Sequence, residues 1–171
     1  MSTDDKEQKP CMQAEPQAEH RWLDKLVGSW TYEAEAMMEP GKPLEKCAGS
    51  EIVRSLGGLW ILAEGKGEMP GGGDATMIMT LGYDPQKKRY VGTWVGSMMT
   101  HLWVYDGGLD AGGKVLTLDS EGPDMSGAGK MAKFRDVIEF KNDDLRTLTS
   151  HILGPDGTWL EVMTATYRRS A

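Results

Sequence analysis

Cysteine occurs only twice in this 171-residue chain, at Cys11 and Cys47, and histidine only three times, at His20, His101 and His151. Two cysteines make no disulfide framework, and a chain of this length can bury a core without one. There is no Cys-x-x-Cys, and a histidine-based zinc site would need almost all three histidines at one point, so no metal is expected. Positive charge is also short, with 19 Lys and Arg against 26 Asp and Glu for a net charge of −7. Such a surface repels polyanions unless a local basic patch overrides it. The longest basic run, Lys87-Lys88-Arg89, sits in an expected turn with no neighbouring stripe of arginine and aromatics. Neither nucleic acid nor a membrane is therefore an expected partner. Long apolar runs are missing, and Met1–Glu7 opens polar and acidic. Export and membrane insertion are not expected, and a reduced, cytoplasmic setting is. Gly71-Gly-Gly73 lacks the Lys-Ser or Lys-Thr of a phosphate loop, and no Gly-x-Ser-x-Gly elbow occurs.

Two parts differ in composition. Residues 1–18 hold acids, amides and prolines with little to bury, the composition of a mobile or extended arm, and residues 19–171 carry the folded domain. Trp22, Leu23, Leu26 and Val27 fall at helical spacing before Gly28, which predicts one short helix over Ala18–Val27 with a stripe able to close one end of a larger structure. Beyond Gly28 no helix of three turns can be written without crossing glycine or proline.

Short β-like runs take over: Ser29–Met38, Lys46–Leu56, Trp60–Glu68, Ala75–Asp84, Arg89–Ser97, His101–Leu109, Val115–Asp119, Lys130–Phe140, Leu145–Leu153 and Trp159–Arg168. Turn residues divide them, among them Pro40-Gly41, Gly57-Gly58, Asp84-Pro85, Gly122-Pro123 and Gly154-Pro-Asp-Gly157. With no crossover helices to join parallel strands, the fold class is all-β, an antiparallel up-and-down barrel of about eight to ten strands preceded by one short helix. Alternation in Met77, Met79, Leu81, Tyr83 and in Phe134, Asp136, Ile138, Phe140 marks one inward face on each of two strands.

Trp22-Leu23 leading into Leu26-Val27-Gly28-Ser29-Trp30 resembles the start of calycin barrels, the lipocalin-like and fatty-acid-binding-protein-like group. Arg54-Ser-Leu-Gly-Gly-Leu-Trp60, Leu81-Gly-Tyr-Asp-Pro85, Tyr90-Val-Gly-Thr-Trp94, Ser97-Met-Met-Thr100, Gly154-Pro-Asp-Gly157 and Met163-Thr-Ala-Thr-Tyr-Arg-Arg169 resemble one bacterial family of that group, a domain of unknown function. The resemblance implies a lipocalin-like, calycin-like barrel over roughly residues 20–169 and brings no established activity.

Calycin barrels use their interior as a small-molecule cavity. Six tryptophans and twelve methionines supply adaptable apolar lining, or else simply fill a solid core. The expected ligand-binding set is Trp60, Met79, Trp94, His101, Trp103 and Met163, with Arg54 and Arg135 to anchor a ligand carboxylate. Met77, Met99 and Trp159 lie within or beside the same strands. Acid–base candidates are Asp136, Glu64 and His101. Asp136 lies on the face expected to be buried, so it must be paired, by an arginine such as Arg54, Arg135 or Arg146, or carry a raised pKa. No cofactor is assigned, although calycin relatives resembling nitrobindin hold haem on one axial histidine, for which His101 or His151 is the candidate. Two functions from different classes follow. One is a cytoplasmic module binding a small, mostly apolar or aromatic molecule inside the barrel. The other is an enzyme of isomerase, cyclase or decarboxylase type using the same cavity. A solid-cored protein forming a homodimer is a third.

Overall fold

A computed structural model of the chain describes residues 13–69 and 72–170. Helix α1 spans Ala18–Leu23 and runs into a single 3-10 turn, Asp24–Leu26. Ten strands follow: β1 (Gly28–Ala36), β2 (Glu45–Leu56), β3 (Trp60–Glu68), β4 (Asp74–Asp84), β5 (Arg89–Gly96), β6 (Trp103–Leu109), β7 (Val115–Pro123), β8 (Met131–Asn142), β9 (Leu145–Leu153) and β10 (Trp159–Arg169). Each pairs antiparallel with its neighbour in sequence, and β1 closes on β10 with Trp30 opposite Arg169, giving a closed barrel. The expected class and strand order are what the fold shows, and closure leaves no free sheet edge. Of the expected arm, residues 1–12 lie outside the described residues, as do Cys11 and, at the β3–β4 turn, Pro70 and Gly71.

The helix is shorter than its periodicity predicts, and the reason lies in its carbonyls. Trp30 Nε1 donates to the Leu26 carbonyl at 2.8 Å, and the Arg169 guanidinium donates to the carbonyls of Val27 at 2.8 Å and Lys25 at 3.1 Å. Groups that further helix would have used are taken by β1 and β10. Gly28 then turns the chain at φ +136°, a backbone conformation that favours glycine, and a Cβ there would displace the Arg169 guanidinium, whose Nη1 it would meet at 2.5 Å. Several strand limits also differ by one to four residues. The β6 pairing begins at Trp103 rather than His101, and β7 runs on to Pro123 because Ser120–Pro123 pair with Met131–Phe134.

The helix plugs one end. Trp22 packs edge-on against Phe140 and Tyr90, and its Nε1 donates to the Gly113 carbonyl in the β6–β7 turn at 2.7 Å. Tyr90 Oη donates to the Glu19 carbonyl at 2.9 Å, and buried His20 bridges the Gln17 backbone N–H and the Tyr83 carbonyl. Leu23, Leu26, Leu81, Leu116 and Ile138 fill the space behind it.

Next to this plug lies a buried ion pair. Arg146 Nη2 donates to Glu51 Oε1 at 2.5 Å, with the two side chains 3% and 13% exposed. The Arg146 guanidinium stacks 3.9 Å from the Tyr167 ring centroid and 4.6 Å from that of Trp30, whose ring also receives Arg169 at 4.3 Å. Desolvating such a pair is costly, and the flat guanidinium recovers part of that through the rings. Strands β9, β10, β1 and β2 meet in this cluster, which therefore fastens the closure.

Candidate functional site

The other half of the barrel is hollow. A cavity of about 380 Å³ lies on the side away from the helix, reached between the β1–β2, β3–β4, β5–β6 and β7–β8 loops. That volume is within the range of small-molecule pockets. The alternatives of solid core and cavity thus both hold, each for one half of the barrel. Nine of the ten methionines among the described residues line it: Met77, Met79 and Met163 from strands, and Met37, Met38, Met69, Met98, Met99 and Met125 from the loop end. Unbranched thioether chains follow many ligand shapes at little strain. Tyr32, Trp94, Trp103, Tyr105, Phe134 and Tyr167 supply aromatic surface. Space is made by glycine: a Cβ on Gly67 or Gly49 would stand 2.3 or 2.5 Å from Tyr32 Oη, so the Tyr32 side chain lies across β2 and β3 only because both are bare.

One polar cluster interrupts this wall. Tyr105 Oη donates to Asp136 Oδ2 at 2.5 Å and Ser150 Oγ donates to Oδ1 at 2.7 Å, with buried Ser120 nearby in the lining. Asp136 comes from β8, Tyr105 from β6 and Ser150 from β9, all at inward positions. Of the two alternatives left by the sequence, a pairing arginine or a raised pKa, no arginine pairs with Asp136 among the described residues, because Arg135 points outward and Arg146 is held by Glu51. Burial pushes the Asp136 carboxyl up from its ordinary value, against the hydrogen bonds from Tyr105 and Ser150 and the field of His151, which pull it down. The same burial, with the adjacent carboxylate, raises the Tyr105 hydroxyl well above its ordinary value and keeps it a donor.

A carboxyl raised in the folded state binds its proton more tightly there than in the unfolded chain. Its contribution to stability is complete below the unfolded value and is lost as pH rises through the folded one. Asp136→Asn is therefore expected to melt about 2–4 °C above the parent at pH about 7.5, the equivalent of about 1 kcal/mol in a domain of this size, with the gap closing towards pH about 4.5. Thermal melts of both proteins across that pH range check this. A variant that melts lower throughout would show that the two donated hydrogen bonds need a full negative charge.

Of the residues named from sequence, Met79, Trp94, Trp103, Met163 and Asp136 line the cavity. Trp60 does not. It lies on the outer face across Gly82 and is 41% exposed. Arg54 is exposed on β2, Glu64 faces solvent with its carboxylate 3.7 Å from Lys66 Nζ, and Arg135 is bound outside to Asp119 at 2.7 Å and stacked on Trp159. His101 is half-buried beside the mouth, its Nε2 2.9 Å from the Glu121 carbonyl and its ring edge-on to Trp103. His151 sits on β9 opposite Arg135, its Nδ1 3.4 Å from that residue's carbonyl. No histidine lines the cavity, so its donors do not fit a histidine-held haem. Among the described residues no group of three His, Cys, Asp or Glu is placed to hold a metal. Sequence reasoning missed Tyr105 and Ser150 as the partners of Asp136, Tyr32 and Tyr167 as lining, and most of the loop-end methionines. The signal available for the tyrosines was their inward parity, shared with buried neighbours such as Ala34 and Ala165.

Fold and cavity together define a ten-stranded up-and-down barrel, hollow in one half, with the buried Asp136 carboxyl cluster in the wall of that half. Residues 15–169 match the family described as Protein of unknown function (DUF1579), and the chain belongs to that family. No curated protein matches the sequence. Among solved structures, Rv2717c from M. tuberculosis is similar over 92% of this chain and 100% of its own, at 10% identity and a TM-score of 0.59, which shows a shared fold. EF1p2_mFAP2b bound to DFHBI is similar at 12% identity and a TM-score of 0.49, covering 90% of this chain and 100% of its own. The redesigned beta barrel mFAP1 bound to DFHBI is similar at 14% identity and a TM-score of 0.45, with the same coverage.

Proposed function

We propose that this protein binds a small, mostly apolar or aromatic molecule in the hollow half of its barrel. The observation that carries the reading is the methionine- and aromatic-lined cavity of about 380 Å³ beside an otherwise tightly filled interior. A core selected only for stability would close such a space, because each unfilled volume forfeits packing. Fluorescence titration with N-phenyl-1-naphthylamine, a neutral probe that brightens in apolar surroundings, tests it. Saturable binding of one probe per chain is expected. A linear, unsaturable signal would sink the reading.

A second reading, an enzyme using the same cavity, is favoured by Asp136 alone. A carboxyl raised by burial and hydrogen-bonded to a tyrosine is suited to proton transfer. Chemical change of a bound molecule, abolished in Asp136→Asn, separates the two.

A further inference from the structure

Among the described residues, Asp136 and Glu68 are the carboxylates that line the cavity, and no lysine, arginine or histidine lines it. The cations behind its wall are committed elsewhere. Arg146 is neutralised by Glu51, and Arg135 is bound to Asp119 on the outer face. His151, which also acts on Asp136 electrostatically, stands on the outer side of β9 beside Arg135. The hydrogen bonds that Asp136 accepts come from neutral hydroxyls, which stabilise its charge without cancelling it. Each carboxylate oxygen retains acceptor capacity beyond the one bond it makes. The rings of Tyr105, Tyr167, Trp94 and Phe134 line the same cavity, and aromatic faces attract cations.

We propose that the ligand of this cavity is an apolar or aromatic amine, whose ammonium group is held at Asp136 between the Tyr105 and Ser150 hydroxyls while its apolar body lies among the methionines. The proposal rests on the binding reading above and names its ligand class. A ligand carboxylate would be brought beside two acids with no base to receive it, so fatty acids and other apolar anions are disfavoured. The anchoring arginines expected from sequence, Arg54 and Arg135, lie outside the cavity and offer no route around this. A neutral alcohol is accommodated and makes one hydrogen bond, but leaves the carboxylate without a counter-charge.

Three ligands sharing one ring test this at neutral pH: 1-naphthylmethylamine, 1-naphthalenemethanol and 1-naphthoate, each displacing N-phenyl-1-naphthylamine from the unmodified protein. The amine is expected to bind about tenfold more tightly than the alcohol and about a hundredfold more tightly than the carboxylate, the difference made by one charge-assisted contact against none or a repulsive one. In Asp136→Asn the amine-to-alcohol ratio is expected to fall towards one. Equal affinities of amine and alcohol in the unmodified protein, or a carboxylate that binds best, would overturn the amine assignment and leave the binding reading standing. A probe that never binds would remove both. An amine preference that persists in Asp136→Asn would also overturn the assignment, since the selectivity would then arise elsewhere. The measurements on the unmodified protein decide the ligand class even if that variant fails to fold.

Discussion

Arg146→Met is expected to destabilise the protein by about 3–5 kcal/mol, the range found when one partner of a buried ion pair is removed, and to lower its melting temperature by about 10 °C. The cost arises from what is left behind. Glu51 is 13% exposed and its partner is Arg146, so the substitution strands a carboxylate beside Trp30 and Tyr167. Methionine fills much of the arginine's volume, which keeps the loss electrostatic rather than a cavity effect. The double variant Arg146→Met/Glu51→Leu removes both charges and is expected to recover to within about 1 kcal/mol of the parent, because an apolar pair needs no desolvation. Urea denaturation of the parent, both single variants and the double variant gives the coupling directly. A double variant no more stable than Arg146→Met would show that the stacked guanidinium, not its neutralisation of Glu51, is what matters.

Ala165→Phe is expected to weaken N-phenyl-1-naphthylamine binding by about a hundredfold while raising stability by about 1 kcal/mol, the combination expected when a functional void is filled. Ala165 is buried on β10 with its methyl group in the cavity lining between Tyr167 and Met163. A phenyl ring there occupies space the ligand needs and gives the methionines a permanent contact. Met163→Trp narrows the same space from a half-buried position and guards against a misfit peculiar to position 165. Titration and thermal melts of both variants are the measurements. Undiminished probe binding in both would place the probe outside the barrel.

The order of elements was legible because antiparallel neighbours in sequence are neighbours in space, and turn residues mark each junction. The parity of the strands was harder. In β3 the outward residues Trp60 and Leu62 are larger than the inward Ala63, Gly65 and Gly67, so alternation read by size alone selects the wrong face. Gly67 is bare because Tyr32 reaches across to it from β1, a contact between strands that no single strand displays. Asp136 was legible because it interrupts a run of large apolar residues. Its hydroxyl partners were not, since Tyr105 and Ser150 lie 31 and 14 residues away. Met37 and Met38 read as the end of the first strand and Met69 and Met125 as turn, and only closure of the barrel brings the loop-end methionines round one mouth.

Nine of the ten strand pairings join consecutive strands through short connections, whereas the tenth unites residues about 140 positions apart. The chain is thus a bracelet of nine local links and one clasp. Each link closes a short loop, which is entropically mild and fast, whereas the clasp must gather both ends of the domain. The Arg146–Trp30–Arg169 stack lies across that clasp. Rejoining the chain near residues 13 and 170 and reopening it at the Pro40–Gly41 turn would convert the clasp into an ordinary link. Order of assembly would change, and the architecture around the cavity would not.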